Sequence, residues 1–198
     1  MPRKGLTKEL VIDAAFLLIE EKGPHSFSIN ELARRLDIKP ASIYNHVKNM
    51  EELLNEVGER IAAMLREAEH EAIAGKSRDE AFYALSAAYR SFASEHTHLY
   101  KMNVGRQLIG TDFEKAKKGE IVDPILKVLS DYDIEERERM DWHRIWRAMM
   151  HGYITQEYVA RANNIPVDFD RVYKKALETI VLGIHDAEVK NAEREPKS

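Results

Sequence analysis

"FSINELARRLDIKPASIYNHVKN", residues 27–49, decides the fold. Ser28 and Glu31 fit a capping box, in which each side chain bonds the other's free backbone N–H, so a helix is expected to start there. That helix is short, because Asp37 follows Leu36, and Pro40 then opens a second short helix at a position that tolerates a missing N–H. Leu32, Ala33 and Leu36 line one face of the first helix, and Ile38 sits in the turn. Ile43 and Val47, one helical turn apart, close the same small core from the second helix. Ala33 is small where the two helices approach. Asp37 stands where glycine would be easiest, and Asp enters the left-handed region more readily than most residues.

Burying Ile43 and Val47 turns Ser42 and Asn45 outward, with Ala41 and Tyr44 alongside. Two short helices joined by a tight turn, the second presenting polar side chains, are the ingredients of a helix-turn-helix. Asn pairs with an adenine edge through two bonds, Ser bonds several bases, and the Ala41 methyl fits against a thymine methyl. Lys39, Lys48, His46 and the Tyr44 hydroxyl suit phosphates, as do Arg3 and Lys4 on a short N-terminal arm. The expected partner of this stretch is double-stranded DNA.

The rest of the chain reads as all-helical. Apolar residues recur at helical spacing in nearly every segment, no strand-like alternation bounded by hairpin turns occurs, and about nine helices are expected. The first runs from the N-cap Thr7 to Lys22, with Val11, Ala14, Ala15 and Leu18 inward and Gly23 and Pro24 closing it. A long helix follows over 50–74, then others over 79–95, 97–108, 123–131, 135–163 and 168–190, with Asp123, Asp133 and Asp168 as start signals. Residues 110–120 are the expected mobile loop, and the tail "NAEREPKS" is expected to fray.

Composition narrows the chemistry. With 198 residues, 44% of them hydrophobic, the chain has enough apolar material for a stable core. No cysteine is present, so disulfides, thiolate metal sites and thiol nucleophiles are absent together. No stretch approaches a membrane span and the N-terminus lacks the apolar core of a secretory signal, so a cytoplasmic location is expected. The net charge of −4 is unevenly spread: residues 1–48 carry 8 Lys/Arg against 6 Asp/Glu, and the remainder 22 against 28. The N-terminal quarter is therefore where an anion is expected.

"FSINELARRLDIKPASIYNHVKNMEELLNEV" resembles the N-terminal DNA-binding domain of the TetR family of transcriptional regulators, and the likeness covers roughly residues 7–57. "ELARRL", "SIYNHVKN" and "EELL" are its most specific parts. The resemblance implies that Asn30, Lys39, Ala41, Ser42 and Asn45 approach bases, while Ser28, Tyr44, His46 and Lys48 hold the DNA backbone. Family members commonly place a phosphate-contacting lysine where this chain has Met50, which makes Lys48 the candidate replacement. The implied organisation is a three-helix helix-turn-helix domain over 1–49 and a helical bundle for ligand binding and dimerisation over 50–198.

In that second region Phe82, Leu85, Tyr89 and Phe92 form one stripe, continued by Tyr100 and Met102, and Trp142, Ile145, Trp146, Met149 and Tyr153 form another. Ordinary core packing explains such stripes. The resemblance adds an effector site for a small apolar or aromatic molecule, with Phe82, Tyr89, Phe92, Tyr100, Trp146 and Met149 as candidates. "RAMMHGYITQE", residues 147–157, is similar to a His-Gly segment of one class of TetR C-terminal domains (the WHG-like class). His151 is expected to be a hydrogen-bonded core histidine, and Gly152 to allow close packing of a neighbouring helix. Phe169, Val172, Tyr173, Ala176, Leu177, Ile180, Val181 and Ile184 give the last helix a wide apolar face. The resemblance implies that the last two helices pair with their twofold copies.

The expected function is a ligand-responsive dimeric regulator, a repressor that binds a palindromic operator and is released by an effector, with no cofactor or metal. An enzyme built on His96, His98 and Glu95 is the competing class, but that element lacks a third ligand at diagnostic spacing, and no HExxH or nucleophile elbow occurs. An activator, or a regulator without a small-molecule effector, stays open, since the sign of regulation depends on where the operator lies.

Overall fold

The computed structural model describes residues 5–107 and 123–194, with side chains except at 103–107. Among these residues it is helical throughout, with nine α-helices and one 3₁₀ turn. The helices are α1 (Lys8–Lys22), α2 (Ile29–Leu36), α3 (Pro40–Ile43), α4 (Met50–Ile73), α5 (Arg78–Glu95), α6 (Thr97–Gln107), α7 (Pro124–Leu129), α8 (Glu136–Ala162) and α9 (Phe169–Arg194). The described residues fall into two compact units, one within Met1–Leu65 and Phe92–Thr111, the other within Arg66–Ser91 and Asp112–Ser198.

In the first unit α1 starts at its expected cap, with Thr7 Oγ1 accepting from the Leu10 N–H at 3.2 Å. It ends at Gly23, whose φ of 81° suits a residue without a side chain and whose N–H reaches Ile19 O. Val11, Ala15, Leu18 and Ile19 are buried, and so is Phe16, which joins them beneath the guanidinium of Arg60. α1 packs against α2 and α6. Two histidines secure the α6 contact: His96 Nδ1 lies 2.7 Å from Glu20 Oε1, and His98 Nδ1 lies 2.9 Å from the Glu20 carbonyl. The H-x-H element is thus occupied in docking α6 on α1.

In the second unit α7 packs on α8, and α8 on α9. Ser86 is the buried junction. Its Oγ donates to Phe82 O and accepts from Trp146 Nε1, both at 2.8 Å, and its carbonyl accepts from the Tyr173 hydroxyl at 2.6 Å. One serine therefore satisfies the polar tips of two large aromatics from α8 and α9, which lets both be buried without an unpaired donor. Gly183 of α9 faces Trp142 of α8 so closely that a Cβ there would overlap the indole ring.

Several expectations are corrected. Asp123 and Asp168 do cap α7 and α9, accepting from Ile125 N and Arg171 N. Asp133 does not cap α8, whose N-cap is Glu135 without a side-chain bond; Asp133 Oδ1 instead accepts from the Asn191 amide. Ile145 and Val172 are exposed, at 45% and 42%, because the buried faces of α8 and α9 run through their neighbours Trp146 and Tyr173. Nothing within the described chain packs on Gly152: a Cβ there would meet no atom within 4 Å. α9 continues to Arg194, so the first half of the expected frayed tail is helical. Residues 110–120 lie outside the described residues.

Candidate nucleic-acid interface

The site is built on the first unit's small core. Leu32, Ala33, Ile43 and Val47 are each at most 2% exposed, and Leu53 and Val57 at the start of α4 are fully buried. Ser28 Oγ accepts from Glu31 N at 3.2 Å, which is one half of the capping box. The other half is not made. The Glu31 carboxylate turns to Lys22 of α1 and to Arg34, one turn along, because two cations outcompete one amide for it. Those cations hold the Glu31 carboxyl below the ordinary carboxylate range. Asp37 takes the left-handed conformation at φ 53° and ψ 48°, and Ile38 N–H reaches back to Ala33 O at 3.0 Å to close α2.

α3 is a single α-helical turn after Pro40, prolonged by Val47 N–H to Ile43 O at 3.2 Å and His46 N–H to Ile43 O at 2.9 Å. So short a helix has little stability of its own. Its orientation rests on the burial of Ile43 and Val47. With those inward, Lys39, Ala41, Tyr44, Asn45 and Lys48 are exposed, and Ser42 and His46 half-buried. Ser28 and Asn30 at the start of α2 are exposed as well. All nine sequence-derived residues thus lie within one continuous segment of one unit, and none is enclosed.

One feature had no local signal in the sequence. Lys8 of α1 reaches the first turns of α4, with Nζ 2.6 Å from Glu56 Oε1 and 3.2 Å from Glu52 Oε1. The Glu52 carboxylate also accepts the Lys48 N–H at 2.6 Å, while Asn49 Oδ1 caps the Glu52 N–H at 2.8 Å. The Lys48 amide is therefore spent on α4 itself, and only the Lys48 side chain is turned to solvent. Met50, the departure from the family pattern, is half-buried.

The six effector candidates do not fall in one unit. Phe82, Tyr89 and Trp146 are buried and Met149 half-buried in the second unit, whereas Phe92 and Tyr100 are buried in the first. Tyr89 meets Trp146 edge-on at 5.4 Å, and its hydroxyl lies 3.3 Å from His151 Nδ1. Burial, aided by Arg147, pushes the His151 imidazole down to about 4, so it is neutral at pH 7. Nearby, Asp123 lies 3.2 Å from His143 Nε2 and 3.3 Å from Arg147; burial pushes its carboxyl up, but these two partners outweigh it and hold it below the usual range. No group of three or more metal-ligating side chains occurs among the described residues. No described helix is long and apolar enough to cross a membrane.

A short helix displaying polar side chains over a buried clamp, in an all-helical chain, defines a helix-turn-helix DNA-binding protein. Comparison with known proteins gives the family. Residues 11–57 match the family model for bacterial regulatory proteins of the tetR family, and residues 82–180 match that for the tetracyclin repressor-like C-terminal domain. The chain belongs to the TetR family and is a DNA-binding transcriptional regulator, not an enzyme. An uncharacterised HTH-type transcriptional regulator of Mycobacterium tuberculosis is 28% identical over 82% of this chain and 75% of its own length. Among solved structures, a TetR variant from Acinetobacter baumannii in complex with minocycline aligns with a TM-score of 0.68 at 19% identity, over 92% of this chain and 98% of that one. BioQ bound to its double-stranded DNA operator aligns with a TM-score of 0.66 at 21% identity, over 89% of this chain and 99% of that one. At those identities the likeness is one of fold.

Proposed function

We propose that this regulator is a cytoplasmic, dimeric repressor that binds a palindromic operator through residues 1–49 and is released by a small apolar or aromatic effector bound within residues 50–198. The carrying observation is that buried Ile43 and Val47 aim α3 so that Ala41, Tyr44 and Asn45 stand exposed. On this reading Asn30, Lys39, Ala41, Ser42 and Asn45 approach bases, and Ser28, Tyr44, His46 and Lys48 position the backbone. Ser28 already spends its hydroxyl oxygen as an acceptor for Glu31 N–H, which leaves its hydroxyl proton for a phosphate.

Two structural features support a dimer through α8 and α9. Both helices carry apolar side chains left in water, Ile145, Val159, Val172, Leu182 and Val189 among them. Gly152 on α8 leaves open space where a partner helix can approach. For the effector, the second unit offers Phe82, Tyr89, Trp146 and Met149, and the first offers Phe92 and Tyr100. The minocycline complex of a TetR variant supports a small-molecule effector by analogy of fold. Release requires the effector to bind the non-operator conformer more tightly, by roughly 5.5 kcal/mol to move a 1:99 balance to 99:1.

Selecting bound duplexes from a random pool tests the reading. A palindrome with half-sites about one turn, ~10 bp, apart is expected, and asymmetric or absent enrichment overturns it. On the selected operator, Asn45→Ala is expected to cost about 1–3 kcal/mol and to relax preference at one base position. Equal loss on random DNA would mean that Asn45 reads no base. Lys48→Ala is expected to weaken specific and random DNA alike and to reduce the salt-dependence slope by about one. An unchanged slope removes Lys48 from the phosphate contacts.

A further inference from the structure

The exposed side of α9 carries a pattern that goes beyond the proposed dimer and specifies how it is built. Val172, Lys175, Thr179, Leu182, Asp186 and Val189 all face solvent, with Val172, Leu182 and Val189 at 42%, 68% and 58%. Their spacing alternates between three and four residues, the repeat of a helix seam that meets another helix lengthwise. The same seam reads alike from both ends. Starting from either terminus it runs apolar, charged, then a small or apolar centre, and the two charges are opposite in sign.

Such a seam is self-complementary under one operation only, a twofold axis crossing the helix between Thr179 and Leu182. An antiparallel copy then sets Val172 against Val189, Lys175 against Asp186 and Thr179 against Leu182, and repeats each pair on the other side of the axis. A parallel copy in register would instead set Lys175 on Lys175 and Asp186 on Asp186, which is repulsive. Lys175 and Asp186 cannot satisfy each other within one chain, because 11 residues of helix separate them by about 16 Å. Within the chain Asp186 is held only at the surface, by Lys190 one turn on, at 2.5 Å.

Resting on the dimer proposed above, we infer that α9 pairs antiparallel with the α9 of a second copy, centred between Thr179 and Leu182, with Lys175 of each chain opposite Asp186 of the other. The apolar pairs remove Val172, Leu182 and Val189 from water. The two symmetric ion pairs fix the register, since a slip of one helical turn in either direction separates Lys175 from Asp186 of the other copy and breaks both pairs.

Because the natural chain has no cysteine, engineered thiols report this register without background. Lys175→Cys and Asp186→Cys chains are prepared separately, mixed, allowed to exchange subunits and oxidised mildly. Mixed chains are expected to give a covalent dimer. Each chain alone is expected to give little, because like positions would stand about 16 Å apart, well beyond disulfide reach. Lys175→Asp and Asp186→Lys chains supply a second readout: each alone should dimerise at least about tenfold more weakly than the natural chain, while their mixture restores dimers as heterodimers. Light scattering on the natural protein separates the possible failures. A dimer in which Lys175→Cys cross-links to itself, or in which mixing brings no cross-link and no charge rescue, overturns the register alone. A monomer at all concentrations overturns the register and the dimer together.

Discussion

Replacing Arg90 with methionine is expected to lower the unfolding free energy by about 3 kcal/mol at neutral pH, near the low end for removing one partner of a buried ion pair. Arg90 holds Glu157 with a two-point fork, Nε to Oε2 at 3.0 Å and Nη2 to Oε1 at 2.7 Å. Its guanidinium also lies 4.7 Å from the Tyr173 ring centroid and 5.4 Å from that of Tyr153. Glu157 is 7% exposed, and without Arg90 it retains only Arg161, which reaches Oε1 at 2.6 Å from a largely exposed position. Burial pushes the Glu157 carboxyl up, but Arg90 and Arg161 outweigh it and hold it below the ordinary range. A carboxyl lowered in the fold contributes stability that is present above its unfolded value, about 4.3, and is lost as pH falls through the folded one.

In the variant the sign reverses. Burial then dominates, Glu157 resists ionisation, and the cost of its charge is relieved on acidification. The stability gap between natural protein and Arg90→Met should therefore narrow from pH 7 towards pH 4. Adding Glu157→Leu to Arg90→Met should recover much of the loss, because no lone buried charge remains. Chemical denaturation across that pH range measures all three. A gap that is small and independent of pH would show that the pair adds nothing to the fold.

Ile43→Ala is expected to destabilise the DNA-binding unit by about 2–5 kcal/mol and to abolish operator binding. Ile43 is fully buried, and the α3 turn it ends has no other large buried side chain of its own. The Ile43 carbonyl also accepts from His46 and Val47, so Ile43 anchors the polar ridge from Ala41 to Lys48 through its backbone as well as its side chain, with Val47 as the second buried anchor. Asn45→Ala provides the contrast: its exposed side chain can be cut back with the melting transition unchanged and only base preference altered. Thermal unfolding followed by helical circular dichroism, together with operator titration, distinguishes the two. If Ile43→Ala keeps both its transition and its affinity, α3 is aimed by something other than this anchor.

The readable parts of the fold were those whose causes act within one or two helical turns. Thr7, Ser28, Asp123 and Asp168 act as caps because a side-chain oxygen needs only an amide two or three residues ahead. Asp37 turns left-handed where the pattern of apolar residues breaks, and Ile43 and Val47 are buried as their spacing requires. Where a partner distant in sequence competed, the local signal failed. Glu31 abandons its capping bond for Lys22, and Asp133 leaves α8 uncapped and binds Asn191.

By itself, then, the sequence determined that this protein is all-helical, where most helices begin and end, and that burying Ile43 and Val47 turns a polar ridge outward. Tertiary structure alone decided which side of the two longest helices is the core. Periodicity puts both Ile145 and Trp146 near an apolar stripe of α8, yet Trp146 is fully buried on Ser86 and Ile145 is left 45% exposed. It also decided the partnerships of Arg90 with Glu157 and of Lys8 with α4, which join residues 67 and 44–48 positions apart. A helix repeat specifies an angle around its own axis, whereas the direction of the core depends on what other helices bring to it. The seam on α9 became visible only once the buried face of that helix was known.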